Sequence, residues 1–199
     1  SEMCIRDRFS IGKGHCATQV GDADLLIYSA AIPDSNVERL EAESRGIRCA
    51  SRAEVLGELS RARRTIAIAG THGKTTTASI MTDILCRAGW EPDFLVGGEI
   101  DGRAHAAVGL GEWFVVEADE FARSFHQLDP DVALVTCVEA EHLDYYGGLT
   151  EVEEAFVEFL HRLPPEGTAF VGGDYLVGWG VLGSLSRNSL SFGLGAGCD

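Results

Sequence analysis

Apolar residues in this chain come in short runs separated by amphipathic stretches, and that alternation predicts the architecture. Residues 23–32 form an apolar run that reads as a strand. Pro33-Asp34-Ser35 then opens a helix, with Ser35 or Asp34 as the N-cap and Val37, Leu40 and Ala42 as its apolar positions. Gly46 ends that helix, and residues 47–50 make a short strand. Ser51 caps a second helix over 52–61, with Glu54 completing a capping box. A buried strand is expected at 65–69, followed by a Thr-rich helix start and a helix through 78–88 that Gly89 and Pro92 terminate. Further strands are expected at 94–98, 113–116, 132–136 and 168–171, with a weak one at 190–192 and a loop or hairpin at 101–111. Residues 151–163 carry Phe156, Phe159, Leu160 and Leu163 on one helical face, the pattern of a core helix. Strands alternating with helices imply an α/β protein built on a parallel sheet.

The strand at 65–69 runs into Gly70-Thr71-His72-Gly73-Lys74-Thr75-Thr76-Thr77. Strand, glycine turn and helix start together form a phosphate-binding arrangement. Backbone N–H groups converge on an anion, the helix dipole favours negative charge, and Lys74 adds a full positive charge. The hydroxyl of Thr75, next to the lysine, is placed to meet a nucleotide-bound Mg²⁺. The turn is shorter than the common G-x-x-x-x-G-K-[ST] form, because Ile68 stands where its first glycine would be. The competing reading is an ordinary strand-to-helix turn with a chance Gly-Lys. The fold expected is therefore a parallel-sheet, P-loop-type central domain at 65–199, preceded by a partial Rossmann-like domain at 1–64. No glycine-rich fingerprint precedes the first unit, so only its closing half is expected. Arg61, Arg63 and Arg64 mark the hinge, or simply a solvated helix end.

Two apolar strands end in acidic groups: Glu117, Asp119 and Glu120 after one, and Glu139, Glu141, His142 and Asp144 after the other. In an open α/β sheet these ends lie on the edge that binds ligands. Carboxylates beside a triphosphate repel it unless a divalent cation sits between them. His142 adds an imidazole that could ligate or orient a ligand.

Composition sharpens this picture. The 199 residues carry a net charge of −15, and Lys13 and Lys74 are the only lysines. So acidic a surface repels nucleic acid and anionic membranes, and makes a lysine in a glycine loop hard to dismiss as decoration. No apolar run approaches the ~20 residues that cross a bilayer, and the first residues lack the apolar core of a signal peptide. Six scattered cysteines, Cys4, Cys16, Cys49, Cys86, Cys137 and Cys198, fit reduced structural thiols in a cytoplasmic protein. Three readings stay open on this ground: an ATP-dependent enzyme, a nucleotide switch, and a binding module that is catalytically incomplete. The absence of an N-K-x-D motif lowers the guanine-switch reading.

Taken together, these motifs resemble the Mur ligases of peptidoglycan synthesis. The Gly70–Thr77 loop is similar to that family's ATP loop, and Glu117-Ala118-Asp119-Glu120 with Arg123-Ser124-Phe125 to a second family segment. Glu139-Ala140-Glu141-His142-Leu143-Asp144 is similar to a third. Ser29–Pro33 and Arg52–Leu56 match the end of the family's UDP-binding domain. The resemblance implies a ligase that uses ATP and Mg²⁺ to activate the carboxylate of UDP-N-acetylmuramate as an acyl phosphate, which the amino group of L-alanine then attacks. A murein tripeptide as the amine is the alternative. By motif position Lys74 would hold the β- and γ-phosphates, with Gly70, Thr71, His72, Gly73, Thr75 and Thr76 in the same loop. Thr75, Glu117 and His142 would ligate metal, and His72 and Arg123 would face the muramate. Departures from the family pattern are Cys137 in place of a common asparagine, Ala122 in place of a common aspartate, and no lysine after Lys74 to be carbamylated. The family's first glycine loop and its third domain are not in these residues, so the chain reads as a fragment that alone does not complete a turnover. Replacing Lys74 by alanine is expected to abolish ATP binding with little loss of fold.

Overall fold

The computed structural model describes residues 14–97, 105–174, 180, 181, 183, 188–195 and 198. The chain divides into two compact units, Ser1–Val55 and Leu56–Asp199.

In the first unit a short 3₁₀ turn, Ala17–Val20, precedes strand β1, Leu25–Tyr28. Helix α1, Val37–Ser44, then carries the chain back to strand β2, Arg48–Ser51. The two strands are parallel, with Leu25 opposite Arg48, so a crossover such as α1 is geometrically required. The cap of α1 differs from the expectation. Asn36 is the N-cap, its side-chain oxygen accepting from the backbone N–H of Glu38 at 2.9 Å and of Arg39 at 3.3 Å. Asp34 instead pairs with the Arg39 guanidinium at 2.8 Å, and the Pro33 carbonyl accepts from the Asn36 N–H, so a turn uses up the earlier candidates. Of the three apolar positions only Ala42 is buried, while Val37 and Leu40 are exposed. The capping box forms as expected: Ser51 Oγ accepts from Glu54 N at 3.2 Å, and a Glu54 carboxylate oxygen accepts from Ser51 N at 2.6 Å. Those two bonds hold the Glu54 carboxyl below the usual carboxylate range. Helix α2, Arg52–Ala62, starts at this box.

The second unit is a sheet with, among the described residues, seven strands in the order β5-β4-β6-β3-β7-β8-β9. These are β3, Arg64–Ala69; β4, Asp93–Leu95; β5, Ala106–Ala107; β6, Trp113–Glu117; β7, Val132–Val135; β8, Thr168–Gly172; and β9, Ser189–Phe192. Every neighbouring pair is parallel except β4 with β5. Helix α3, Lys74–Arg87, follows β3, and helix α4, Leu149–Leu160, links β7 to β8. Of the expected loop at 101–111, residues 101–104 lie outside the described residues, and β5 forms in the remainder.

Strand pleat explains the layers. Alternate residues of β3 point to opposite faces. Ala67 and Ala69 join Phe114, Val116, Ala133 and Val135 on the face covered by Val152, Phe156, Phe159 and Leu160 of α4. Ile66 and Ile68 join Val115 on the face covered by Ala78 and Leu85 of α3. A strand covered on both sides needs apolar residues at consecutive positions, which is why Ile66–Ala69 of β3 and Trp113–Val116 of β6 are unbroken apolar runs. The α4 side chains, each contributing ~1.5–3 kcal/mol by full burial, dominate the first core. Gly57 on α2 is required by a close approach, since a Cβ there would lie 2.3 Å from the Gln127 carbonyl oxygen. The arginine cluster is tied down by acids of this unit: Arg61 pairs with Asp129 at 3.1 Å and Arg63 with Asp93 at 3.0 Å, while Arg64 lies over the Trp113 ring.

Candidate functional site

Strand β3 is the switch point of the sheet. The chain leaves it to build β4 and β6 on one side, then crosses to build β7 on the other. Ligands bind where the strand order reverses, beyond the carboxyl ends. The end of β3 is the glycine loop. The end of β6 is Glu117, with Ala118 N–H donating to the Ile68 carbonyl at 2.9 Å. The end of β7 leads into Thr136, whose N–H donates to the Ala69 carbonyl at 3.0 Å. Both acidic segments thus flank the loop because of strand order, which periodicity in sequence cannot reveal.

The loop is laced to the segment after β7. Thr71 N–H donates to the Cys137 carbonyl at 2.9 Å, His72 N–H reaches Cys137 Sγ at 3.4 Å, and Glu139 N–H donates to Thr71 Oγ1 at 2.9 Å. Gly70 has φ +132, and a Cβ on it would fall 2.0 Å from Thr136 Oγ1, so no other residue fits. Gly73, at φ +81, is the N-cap of α3. With the Thr71 and His72 amides committed to Cys137, the donors left for an anion are those that open α3. The first N–H groups of a helix have no intrahelical partner. The N–H groups open to an anion are therefore those of Gly73 to Thr76, a narrower set than the whole loop.

Two carboxylates meet the loop's side chains. Thr75 Oγ1 donates to Glu117 Oε2 at 3.2 Å, and the other Glu117 oxygen accepts from Gly97 N–H at 2.7 Å. Two hard oxygen donors this close, beside a helix N-terminus, fit Mg²⁺, which takes one or two protein oxygens and fills its shell with phosphate oxygens and water. Lys74 Nζ contacts both carboxylate oxygens of Glu120, at 3.1 and 2.9 Å. Glu120 is only 2 % exposed. Burial pushes its carboxyl above the usual range, with the Lys74 hydrogen bond pulling the other way. Its backbone carbonyl accepts from the Tyr146 phenol. Glu120, Tyr146 and Thr136 are the residues that sequence reasoning left without a role. Glu120 stood inside a named acidic run, but nothing along the chain signals its burial.

His142 Nε2 lies 3.8 Å from Glu120 Oε1, and Glu120, Glu141 and His142 can each offer a ligand atom within 4.8 Å of one another. His142 sits at φ +53, an uncommon value for a non-glycine residue. Contacts thus run from Glu117 through Thr75 and Lys74 to Glu120 and His142. His72 is largely exposed, with Nε2 3.9 Å from a Glu139 oxygen. Arg123 is turned to α4, where it pairs with Glu158. Two successive left-handed residues, Ala122 and Arg123, make that turn. Asp119 is used locally, one oxygen accepting from Phe121 N–H at 3.0 Å. Asp174, after β8, accepts from the N–H groups of Leu194 and Gly195.

A recess of about 690 Å³ lies elsewhere, lined by Arg61, Arg64, Glu112, Asp131 and Arg162 among others. Those residues precede or start β3, β6, β7 and β8, so it opens at the amino edge of the sheet, away from the loop. Asp129 there is shared between Arg61 and Arg162.

Comparison with known proteins assigns the chain to a family. A family model described as "Mur ligase middle domain" matches residues 68–196, and one described as "Mur ligase family, catalytic domain" matches residues 9–64. The chain belongs to the Mur ligase family. The UDP-N-acetylmuramate–L-alanine ligase of Acidithiobacillus ferrooxidans is 44 % identical over 191 residues, which are 95 % of this chain and 41 % of that protein. The chain thus spans about two fifths of the length of the curated relatives it matches. Among Mur ligase structures, the UDP-N-acetylmuramate:L-alanyl-γ-D-glutamyl-meso-diaminopimelate ligase of Neisseria meningitides superposes with a TM-score of 0.81 at 25 % identity, covering 92 % of this chain and 63 % of that one. The UDP-N-acetylmuramate–alanine ligase of Thermotoga maritima gives a TM-score of 0.77 at 24 % identity, covering 91 % and 41 %. The α/β fold with a mainly parallel sheet is the one these Mur ligases share. No described helix is long and apolar enough to cross a membrane.

Proposed function

We propose that this chain carries the ATP-binding core of a cytoplasmic ligase that joins L-alanine to the carboxylate of UDP-N-acetylmuramate in peptidoglycan precursor synthesis. The observation that carries this reading is the placement of Lys74 and Thr75 at the start of α3, between the acidic ends of β6 and β7. A carboxylate and a triphosphate repel each other, so a site that joins them must hold cations between them. Bound ATP and Mg²⁺ supply the phosphoryl group and that cationic bridge.

The residues divide the work as follows. The Gly73–Thr76 amides hold phosphate oxygens, and Lys74 holds the β- and γ-phosphates. Thr75 and Glu117 would hold Mg²⁺, and His142 would ligate metal, as a second ion. His72, largely exposed, faces the muramate. A role for Arg123 on the muramate side requires that it leave Glu158. The 44 % identity to an L-alanine-adding relative supports alanine over a peptide as the amine.

The test has two parts. Calorimetric titration of this chain with ATP and Mg²⁺ should show binding that Lys74→Ala removes, and unchanged affinity in that variant takes Lys74 out of the site. In the protein that carries this segment, phosphate release from ATP with UDP-N-acetylmuramate should depend on L-alanine. Release that ignores L-alanine but responds to the tripeptide overturns the substrate assignment.

A further inference from the structure

The Lys74 ammonium is held from three sides. Its Nζ lies 2.5 Å from the Gly70 carbonyl oxygen, 3.2 Å from that of Thr71, and 3.1 and 2.9 Å from the two Glu120 oxygens. An ammonium has three N–H bonds, and this set uses all of them. Lys74 cannot reach a phosphate oxygen without releasing a partner. The two carbonyls belong to the loop itself. Glu120 comes from the end of β6, and it is the one partner whose negative charge competes with a phosphate for the same cation. Tyr146 fixes the Glu120 backbone carbonyl, so the carboxylate is anchored beside the lysine. The next nitrogen within its reach is that of His142.

Resting on the reading that the loop binds a nucleoside triphosphate, we propose that Glu120 is a positioning residue that holds the Lys74 ammonium and yields it to the nucleotide phosphate. Nucleotide binding is then an exchange of anions on one lysine. The carboxylate opposes binding, because the incoming phosphate must displace it, and it keeps the lysine from sealing the cradle with another anion. Neutralising Glu120 without changing its shape removes the competitor.

The test measures the dissociation constant of ATP with Mg²⁺ for the wild-type chain, Glu120→Gln, Lys74→Ala and the double variant. Glu120→Gln should bind ATP more tightly, by about fivefold or more for the loss of one close charge competitor. In the Lys74→Ala background the same change should restore no binding. Equal or weaker binding by Glu120→Gln, in protein that melts like wild type, overturns the exchange. If Glu120→Gln does not fold, the wild-type chain decides the matter. With only two lysines in the sequence, ¹⁵Nζ-lysine labelling follows Lys74 during ATP titration, and ¹³Cδ-glutamate labelling follows Glu120 once its signal is assigned from a Glu120→Asp variant. The Lys74 and Glu120 side-chain signals should move together, and a Lys74 shift with Glu120 unmoved means the pair persists and the proposal fails. A wild-type chain that binds no ATP sinks the nucleotide reading along with it, whereas ATP binding without the gain sinks the exchange alone.

Discussion

Removing the Lys74 side chain has a larger structural consequence than the sequence suggests. Read along the chain, Lys74 belongs to an exposed loop, and its loss should leave the fold intact. In the structure it is the counter-charge of a carboxylate that is 2 % exposed. Lys74→Ala leaves that charge buried without its ammonium partner. Removing one member of a buried pair typically costs about 3–5 kcal/mol, and the 19 % exposure of Lys74 places this site near the lower end, about 3 kcal/mol. For a chain of this size that corresponds to a melting point lowered by about 6–12 °C. The sign of the pH dependence follows from Glu120. Burial raises its folded pKa above the unfolded one, so the fold favours the protonated carboxyl. That contribution is fully present below the ordinary carboxylate pKa, about 4.3, and is lost as pH rises through the folded value. Without Lys74 the main offset to the burial is gone, so the deficit of Lys74→Ala should be largest at neutral pH and shrink toward pH 4. Adding Glu120→Gln should recover most of the loss at neutral pH. Thermal melts of the three proteins between pH 4 and 8 check this. A Lys74→Ala protein within 1 °C of wild type at pH 7 would refute the burial argument.

Gly70→Ala should lower stability by about 3 kcal/mol or more and abolish ATP binding, because the strained φ and the clash with Thr136 Oγ1 both act. Adding Thr136→Ala should restore it only in part, since the Thr136 amide nitrogen remains 3.0 Å from the new Cβ. ATP affinity within twofold of wild type in Gly70→Ala would show that the loop is not held as described. Tyr146→Phe should cost about 0.5–1.5 kcal/mol in a urea unfolding curve, by removing one of the two donors to the Glu120 carbonyl, which keeps the Arg123 N–H at 3.0 Å. Burial pushes the Tyr146 phenol up to about 12, so wild type should lose stability above about pH 10 more steeply than Tyr146→Phe does. Parallel alkaline curves for the two would count against it.

The sequence by itself determined the class of fold and the chemistry on offer. Consecutive apolar positions in β3 and β6 announced strands covered on both faces, because only such strands can hide every side chain. Ser51 with Glu54, and the spacing of Phe156, Phe159 and Leu160, fixed two helices, because capping and helical periodicity act over three or four residues. The glycine loop was legible for the same reason: an anion cradle is made of neighbours. Only the tertiary structure decided which acid does what. Glu117 and Glu120 lie three residues apart, yet one meets Thr75 and the other is buried against Lys74. That difference arises from strand order and from the buried Tyr146 holding the Glu120 backbone, which are contacts between residues dozens of positions apart. The cap of α1 was decided in the same way, on a smaller scale, when Arg39 drew Asp34 aside and left Asn36 to cap the helix. Local pattern can specify an element and its chemistry. Burial of a charge depends on what the rest of the chain folds over it, and no window of sequence contains that information.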